Sequence, residues 1–131
     1  MIQRRYLLIV VQCQGIAQAI LLRELLRSLR IVHAIDAKNH KIRIWEVPVP
    51  YAGAYDVQFD DVKYAWGADM STDLVQRLNV DTSEWSSYLL PLSINTRHVD
   101  VEKSSDPNVP SSMWTEGQQN GKIVHIEPLT P

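Results

Sequence analysis

Along the chain the spacing of apolar residues changes several times, and each change marks an element. Residues 6–11, Tyr-Leu-Leu-Ile-Val-Val, are a continuous apolar run rich in branched side chains, as expected of a strand covered on both faces. After Gly15 the period lengthens: apolar positions at 16, 19, 20, 22, 26 and 29 among helix-forming residues predict a long helix over 16–30. Arg23, Arg27 and Arg30 share one face of that helix and fall in its last turns, where cations complement the helix dipole. Leu21 and Leu25 lie off the main stripe and leave apolar surface for a neighbour.

Residues 31–36 and 41–47 are β-prone runs on either side of Ala37-Lys38-Asn39-His40 and predict a hairpin. Pro48 and Pro50 break the pattern, and 57–59 with 62–66 predict a second, shorter hairpin across Asp60 and Asp61. Ser71 or Thr72 as a cap, Asp73 in the first turn and Asn79 as a stop predict a short helix through Leu78. Asp81 followed by Glu84 has the form of a capping box and predicts a second short helix over 82–90, ended by Pro91. Residues 92–94 and 98–102 are expected to be β-structure, with Val99 and Val101 alternating with His98, Asp100 and Glu102. From 104 to 121 the composition turns to Ser, Pro, Asn, Gln and Gly around Met113 and Trp114, which predicts a long loop, and 122–127 is a last short strand. No block of sequence recurs at a period of roughly 20 to 50 residues, which argues against a solenoid or propeller. The expected fold is therefore α+β, one domain over 1–131: an N-terminal strand and long helix, then antiparallel hairpins with two short helices and a long C-terminal loop. Residues 104–131 serve as an interaction arm.

Composition supports a packed core, since 45% of the 131 residues are hydrophobic and 21% charged, far from the profile of disorder. Cys13 is the only cysteine, so no intramolecular disulfide can form and a reducing, cytoplasmic or virion setting is expected. Arg23 and Glu24 interrupt the N-terminal apolar segment before about 20 apolar residues accumulate, which excludes it as a membrane span. No small-residue cleavage site follows, so no secretory signal is recognised. The net charge of −2 hides an asymmetry: residues 1–43 hold eight cations and two acids, net +6, and the rest five cations and 13 acids, net −8. Such polarity can orient subunits head to tail.

Candidate chemistry is sparse. Cys13, where a strand is expected to turn into a helix, could gain thiolate character, and His125 and Glu127, two apart on the last strand, share a face with the makings of a Cys-His-Glu hydrolase. Val11 stands where a nucleophile elbow needs glycine, so this reading is the alternative. His98, Asp100 and Glu102 span too great a length of strand to chelate one ion and are expected to form a polar outer face; Asp56, Asp60, Asp61 and Asp69 lack the glycine and glutamate of a calcium loop and are expected to serve turns. Asp36-Ala37-Lys38 has the spacing of a nuclease acid-x-lysine element without the upstream acid. The arginine stripe 23/27/30 with Arg4 and Arg5 could contact phosphates, giving a second alternative, a regulatory nucleic-acid binder. No phosphate loop, zinc cysteines or dinucleotide fingerprint is present, and no metal or cofactor is expected.

The leading expectation is a non-enzymatic structural or assembly subunit, a homo-oligomer or part of a multi-protein complex such as a virus or phage particle. Its contacts with protein partners would use Met113 and Trp114 as anchors, with Leu21, Leu25, Arg23, Arg27 and Arg30 on the helix.

Overall fold

The computed structural model describes residues 6–9, 31–36, 39–60, 62–93, 95–106 and 108–129, and every regular element among them is a β-strand. The helix expected over 16–30 lies outside the described residues, as do Cys13 and the arginine stripe. Sheet I contains β1 (Tyr6–Ile9), β2 (Ile31–Asp36) and β3 (Ile42–Glu46) in that order. Sheet II is a four-stranded meander of β4 (Ala54–Phe59), β5 (Tyr64–Asp69), β6 (Leu74–Asn79) and β7 (Trp85–Leu89). Sheet III contains β8 (Thr96–Glu102), β9 (Ser112–Gly117) and β10 (Ile123–Ile126). All pairings are antiparallel. Among the described residues no helix is long and apolar enough to cross a membrane.

The three sheets stack face to face with sheet II in the middle. On one side Trp66, Ala68 and Val75 meet Val99, Val101, Met113 and Ile126 of sheet III. On the other, Ala65, Leu78 and Val80 meet Ala34 and Trp45 of sheet I, with Val32, Val47 and Ala52 alongside. Successive residues of β5 and β6 therefore enter opposite cores. The inner strands hold sheets II and III together with polar side chains: Asp56 Oδ2 accepts from the Val99 amide at 3.1 Å, Gln58 Oε1 accepts from the Val101 amide at 3.2 Å, and Gln58 Nε2 donates to the Val99 carbonyl.

Among the described residues the α+β expectation is corrected to an all-strand arrangement. The segments expected as short helices are β6 and β7. Leu74, Val75 and Leu78 have helix-like spacing because both faces of β6 are covered, which removes the alternation that marks a one-sided strand. The apparent capping box is a hairpin turn in which Asn79 Oδ1 accepts from the amides of Asp81 and Thr82, and the Thr82 hydroxyl donates to Glu84. The expected loop over 104–121 contains β9, whose Met113 and Thr115 face sheet II while Trp114 and Glu116 face out. Residue 92 lies in a bend and residue 93 in no regular element, where a strand is expected. Both expected hairpins are present as β2–β3 and β4–β5.

Four hairpins have loops of four residues, each ending in a left-handed residue: His40 (φ 57°), Asp73 (54°), Ser83 (65°) and Gly121 (63°). The hydrogen bonds also correspond: the amide of His40 donates to the Asp36 carbonyl, that of Ser83 to Asn79, and that of Gly121 to Gly117. Superposing the loops aligns sheet I with strands two to four of sheet II, 43 residues on (Asp36 with Asn79), and sheet III with strands one to three, 48 residues back at the hairpin (Asp69 with Gly117). The facing residues agree, since Val32 and Trp45 point at sheet II as Val75 and Tyr88 point at sheet III. A repeat is thus present, and the expectation that excluded a propeller is corrected. It escapes a scan for constant period because the β8–β9 connection is longer than β4–β5: the step is 42 residues from Val57 to Val99 but 48 from Gly67 to Thr115.

Asp69 shows what fixes a turn here. Its Oδ1 accepts from the amides of Gly53 and Ser71, both at 2.8 Å, and its Oδ2 from the Thr72 hydroxyl, in a site that is 1% exposed. Asp69→Ala leaves three donors without an acceptor and is expected to lower stability by about 2–4 kcal/mol in urea unfolding. A loss below about 0.5 kcal/mol would show that water replaces the carboxylate.

Candidate functional site

The outer face of sheet III, turned away from sheet II, gathers the polar and aromatic groups that no core explains. Alternation along three strands puts them there: His98, Asp100 and Glu102 on β8, Ser112, Trp114 and Glu116 on β9, and Ile123 and His125 on β10. Register places Asp100, Trp114 and His125 in one cross-strand row and Glu102 beside Ser112. This is the polar outer face expected for β8, now joined by two strands.

At its centre Trp114 and His125 are stacked, ring centroids 3.9 Å apart and planes 7° from parallel. The Trp114 indole N–H donates to Glu102 Oε2 at 3.0 Å, and the Ser112 hydroxyl donates to the same oxygen at 3.3 Å. His125 lies between two carboxylates, Nε2 3.8 Å from Glu102 Oε2 and Nδ1 3.6 Å from Glu127 Oε1, contacts that become ion pairs when the ring is protonated. His125 Nε2 is buried under these groups and has no hydrogen-bond partner among the described residues. The face holds two hollows: an open cleft of about 500 Å³ bordered by Glu102, Ser104, Val109, Ser112, His125 and Glu127, and a shallower one of about 220 Å³ over Asp100, Trp114 and Ile123. Trp114 remains 40% exposed and Ile123 72%. The arrangement can hold a large apolar surface in a fixed orientation. Among the described residues no group of three or more His, Cys, Asp or Glu is placed to hold a metal ion.

Of the two anchors expected in the 104–121 segment, Trp114 faces out, but Met113 is fully buried against sheet II and belongs to the core. His125 and Glu127 are adjacent, as their spacing implies. Cys13, Leu21, Leu25, Arg23, Arg27 and Arg30, the nucleophile of the hydrolase triad and the helix face, lie outside the described residues. Asp60 and Asp69 serve turns as expected, Asp60 Oδ1 accepting from the amides of Val62, Lys63 and Tyr64. Sequence reasoning missed Glu102 as the partner of Trp114, because reading β9 as a loop left nothing to bring position 114 beside 102. It also missed Arg77, which is buried with its guanidinium 3.5 Å from the Tyr64 ring centroid and 5.2 Å from that of Trp66.

The indole hydrogen bond, then the Ser112 hydroxyl and the nearby His125, hold the Glu102 carboxyl below the usual carboxylate range. A lowered folded-state pKa stabilises the fold above the unfolded value, and that contribution disappears as pH falls through the folded one. Trp114→Phe keeps a ring against His125 but removes the donor; the Glu102 midpoint, followed by carboxyl NMR, should rise towards the ordinary value. An unmoved midpoint would mean that the indole does not set it.

No protein-family model matches this chain, and no characterised protein matches its sequence. Two solved structures share its fold: a streptogramin B lyase (TM-score 0.56, 14% identity) and the virginiamycin B lyase of Staphylococcus aureus (TM-score 0.55, 15% identity). Each likeness covers 79% of this chain and 36% of the lyase, so the chain spans little more than a third of those proteins' length. These likenesses give no support to the virus or phage setting, and the all-strand arrangement they share replaces the α+β expectation. At this identity the likeness shows the fold alone: β-propeller-like blades, one of four strands flanked by two of three.

Proposed function

We propose that the chain works by association, as a non-enzymatic module that supplies blades to a larger propeller-like assembly. One observation carries this reading: the outer face of sheet III corresponds, position for position, to the face of sheet II that sheet III covers. Trp114, Ile123 and His125 stand where Trp66, Val75 and Arg77 stand, yet Trp66 is 0% exposed and Trp114 40%. A blade face of this composition is completed by another blade. A photoreactive amino acid at position 114 should cross-link the chain to a defined protein in the cell that makes it, at a yield well above the same probe at Asp81 in an exposed hairpin loop. Equal yields at both positions would remove the reading.

A second reading draws on His125, whose ring nitrogens lie between two carboxylates, and on the lyase activity named for both similar structures. It predicts turnover of virginiamycin B by the purified chain and loss of that turnover in His125→Ala. No turnover at high enzyme concentration removes it.

A further inference from the structure

We infer that the partner covering the outer face of sheet III is the outer face of sheet I from a second copy of this chain, so that copies join head to tail. The inference rests on the association reading above and names its partner.

The middle sheet supplies the template. Sheet II buries two faces, one presented to sheet III by Trp66, Val75 and Arg77, the other presented to sheet I by Leu78 and Trp85. Through the 48-residue correspondence, sheet III leaves the first of these faces open as Trp114, Ile123 and His125. Through the 43-residue correspondence, sheet I leaves the second open, with Ile35 at the Leu78 position and Ile42 at that of Trp85. Each end of the stack therefore carries the half-interface that the other end lacks. The open face of sheet I is mainly apolar: Ile42 is 61% and Ile44 62% exposed, with Ile31, His33 and Ile35 beside them and the exposed acid Glu46 next to Ile31 at one end. Its counterpart offers Trp114 and Ile123 within a rim of Asp100, Glu102 and Glu116, and exposed Lys41 at the edge of sheet I gives that acidic rim a basic neighbour.

Polar geometry agrees. On the covered face of sheet II, Asp56 and Gln58 reach the backbone of the next inner strand. Their counterparts on sheet III are His98 and Asp100, both exposed, so the open face carries polar groups where the covered one carries its clamp. A head-to-tail contact is heterologous, and its two ends stay open until a ring closes; two copies of three sheets supply six blades, within the range of closed propellers, so the expected assembly is a closed dimer.

The test uses the full chain and two sets of surface variants: Trp114→Asp or Ile123→Asp on sheet III, and Ile42→Asp with Ile44→Asp on sheet I. Ile123→Asp leaves the Trp114–His125 stack intact, and melting midpoints establish that each variant is folded. In sedimentation velocity the unaltered chain should form one dimeric species, closed by two copies of the interface. Each variant alone should fall to monomer, with association weakened about tenfold or more. An equimolar mixture of a sheet III variant with the sheet I variant should form a one-to-one dimer, since one intact interface remains between them. A sheet I variant that still self-associates, or a mixture that stays monomeric, overturns the second copy as partner. An unaltered chain that is monomeric at its highest soluble concentration does so too. If position 114 then still cross-links selectively to a different protein, the association reading stands and only the partner assigned here falls.

Discussion

The structure depends on one constraint, that sheet II is covered on both faces. A sheet in that position cannot alternate apolar and polar residues, so its polar side chains bond or stack within the core, although Gln76 Nε2 and two Arg77 guanidinium nitrogens have no hydrogen-bond partner among the described residues. Gln76 accepts from the Ser87 hydroxyl, Arg77 lies over the Tyr64 and Trp66 rings, and the Asp69 carboxylate binds its own turn. The flanking sheets are bound by the same faces, and their core residues are continuous with those of sheet II. Register between sheets is less free than apolar contact alone would leave it, because Asp56 and Gln58 bond to particular backbone groups of β8.

How much of this could be read from the sequence follows from the same constraint. The outer hairpin β2–β3 was legible, since Ile42, Ile44 and Glu46 lie on an open face and Trp45 on a buried one, giving the period of two. So was the polar face of β8 over Val99 and Val101. The segment 72–90 was not, because Leu74, Val75 and Leu78 fill two cores and their spacing matches a helix as well as it matches a strand. Ser, Asp and Asn residues around it cap turns as readily as helices, and here Asn79 and Thr82 do the former. The blade repeat was concealed by composition and by length together. Corresponding positions such as Ala34 and Arg77, or Trp45 and Tyr88, share location but little chemistry, and the longer β8–β9 connection shifts the period between one strand and the next.

The candidate site was legible only in fragments. Trp114 attracted notice as a large apolar side chain in a polar stretch, and His125 and Glu127 as a pair, but their meeting depends on β9 being a strand between β8 and β10. What joins them is Glu102, an acid that looked like one of three solvated groups. Its role comes from the change in loop length. At the corresponding place in sheet II, Asp60 closes the short β4–β5 turn by accepting three of its amides. In sheet III the connection is longer and no such turn forms at Glu102, whose carboxylate instead accepts from the Trp114 indole and the Ser112 hydroxyl.

That exchange bears on why Trp114 is held as it is. An exposed tryptophan without partners samples several rotamers and loses that freedom on binding, at a cost on the order of 0.5–1.5 kcal/mol for an interface side chain. Trp114 is constrained before any partner arrives: the Glu102 carboxylate fixes the indole N–H, and the His125 ring covers one face. Trp66 reaches the same position in sheet II by burial, with Tyr88 stacked 5.7 Å away and Arg77 beside it, and its indole N–H has no partner among the described residues. Burial alone therefore suffices where a second sheet is already in place. Where none is, a hydrogen bond and a stacked ring do the orienting.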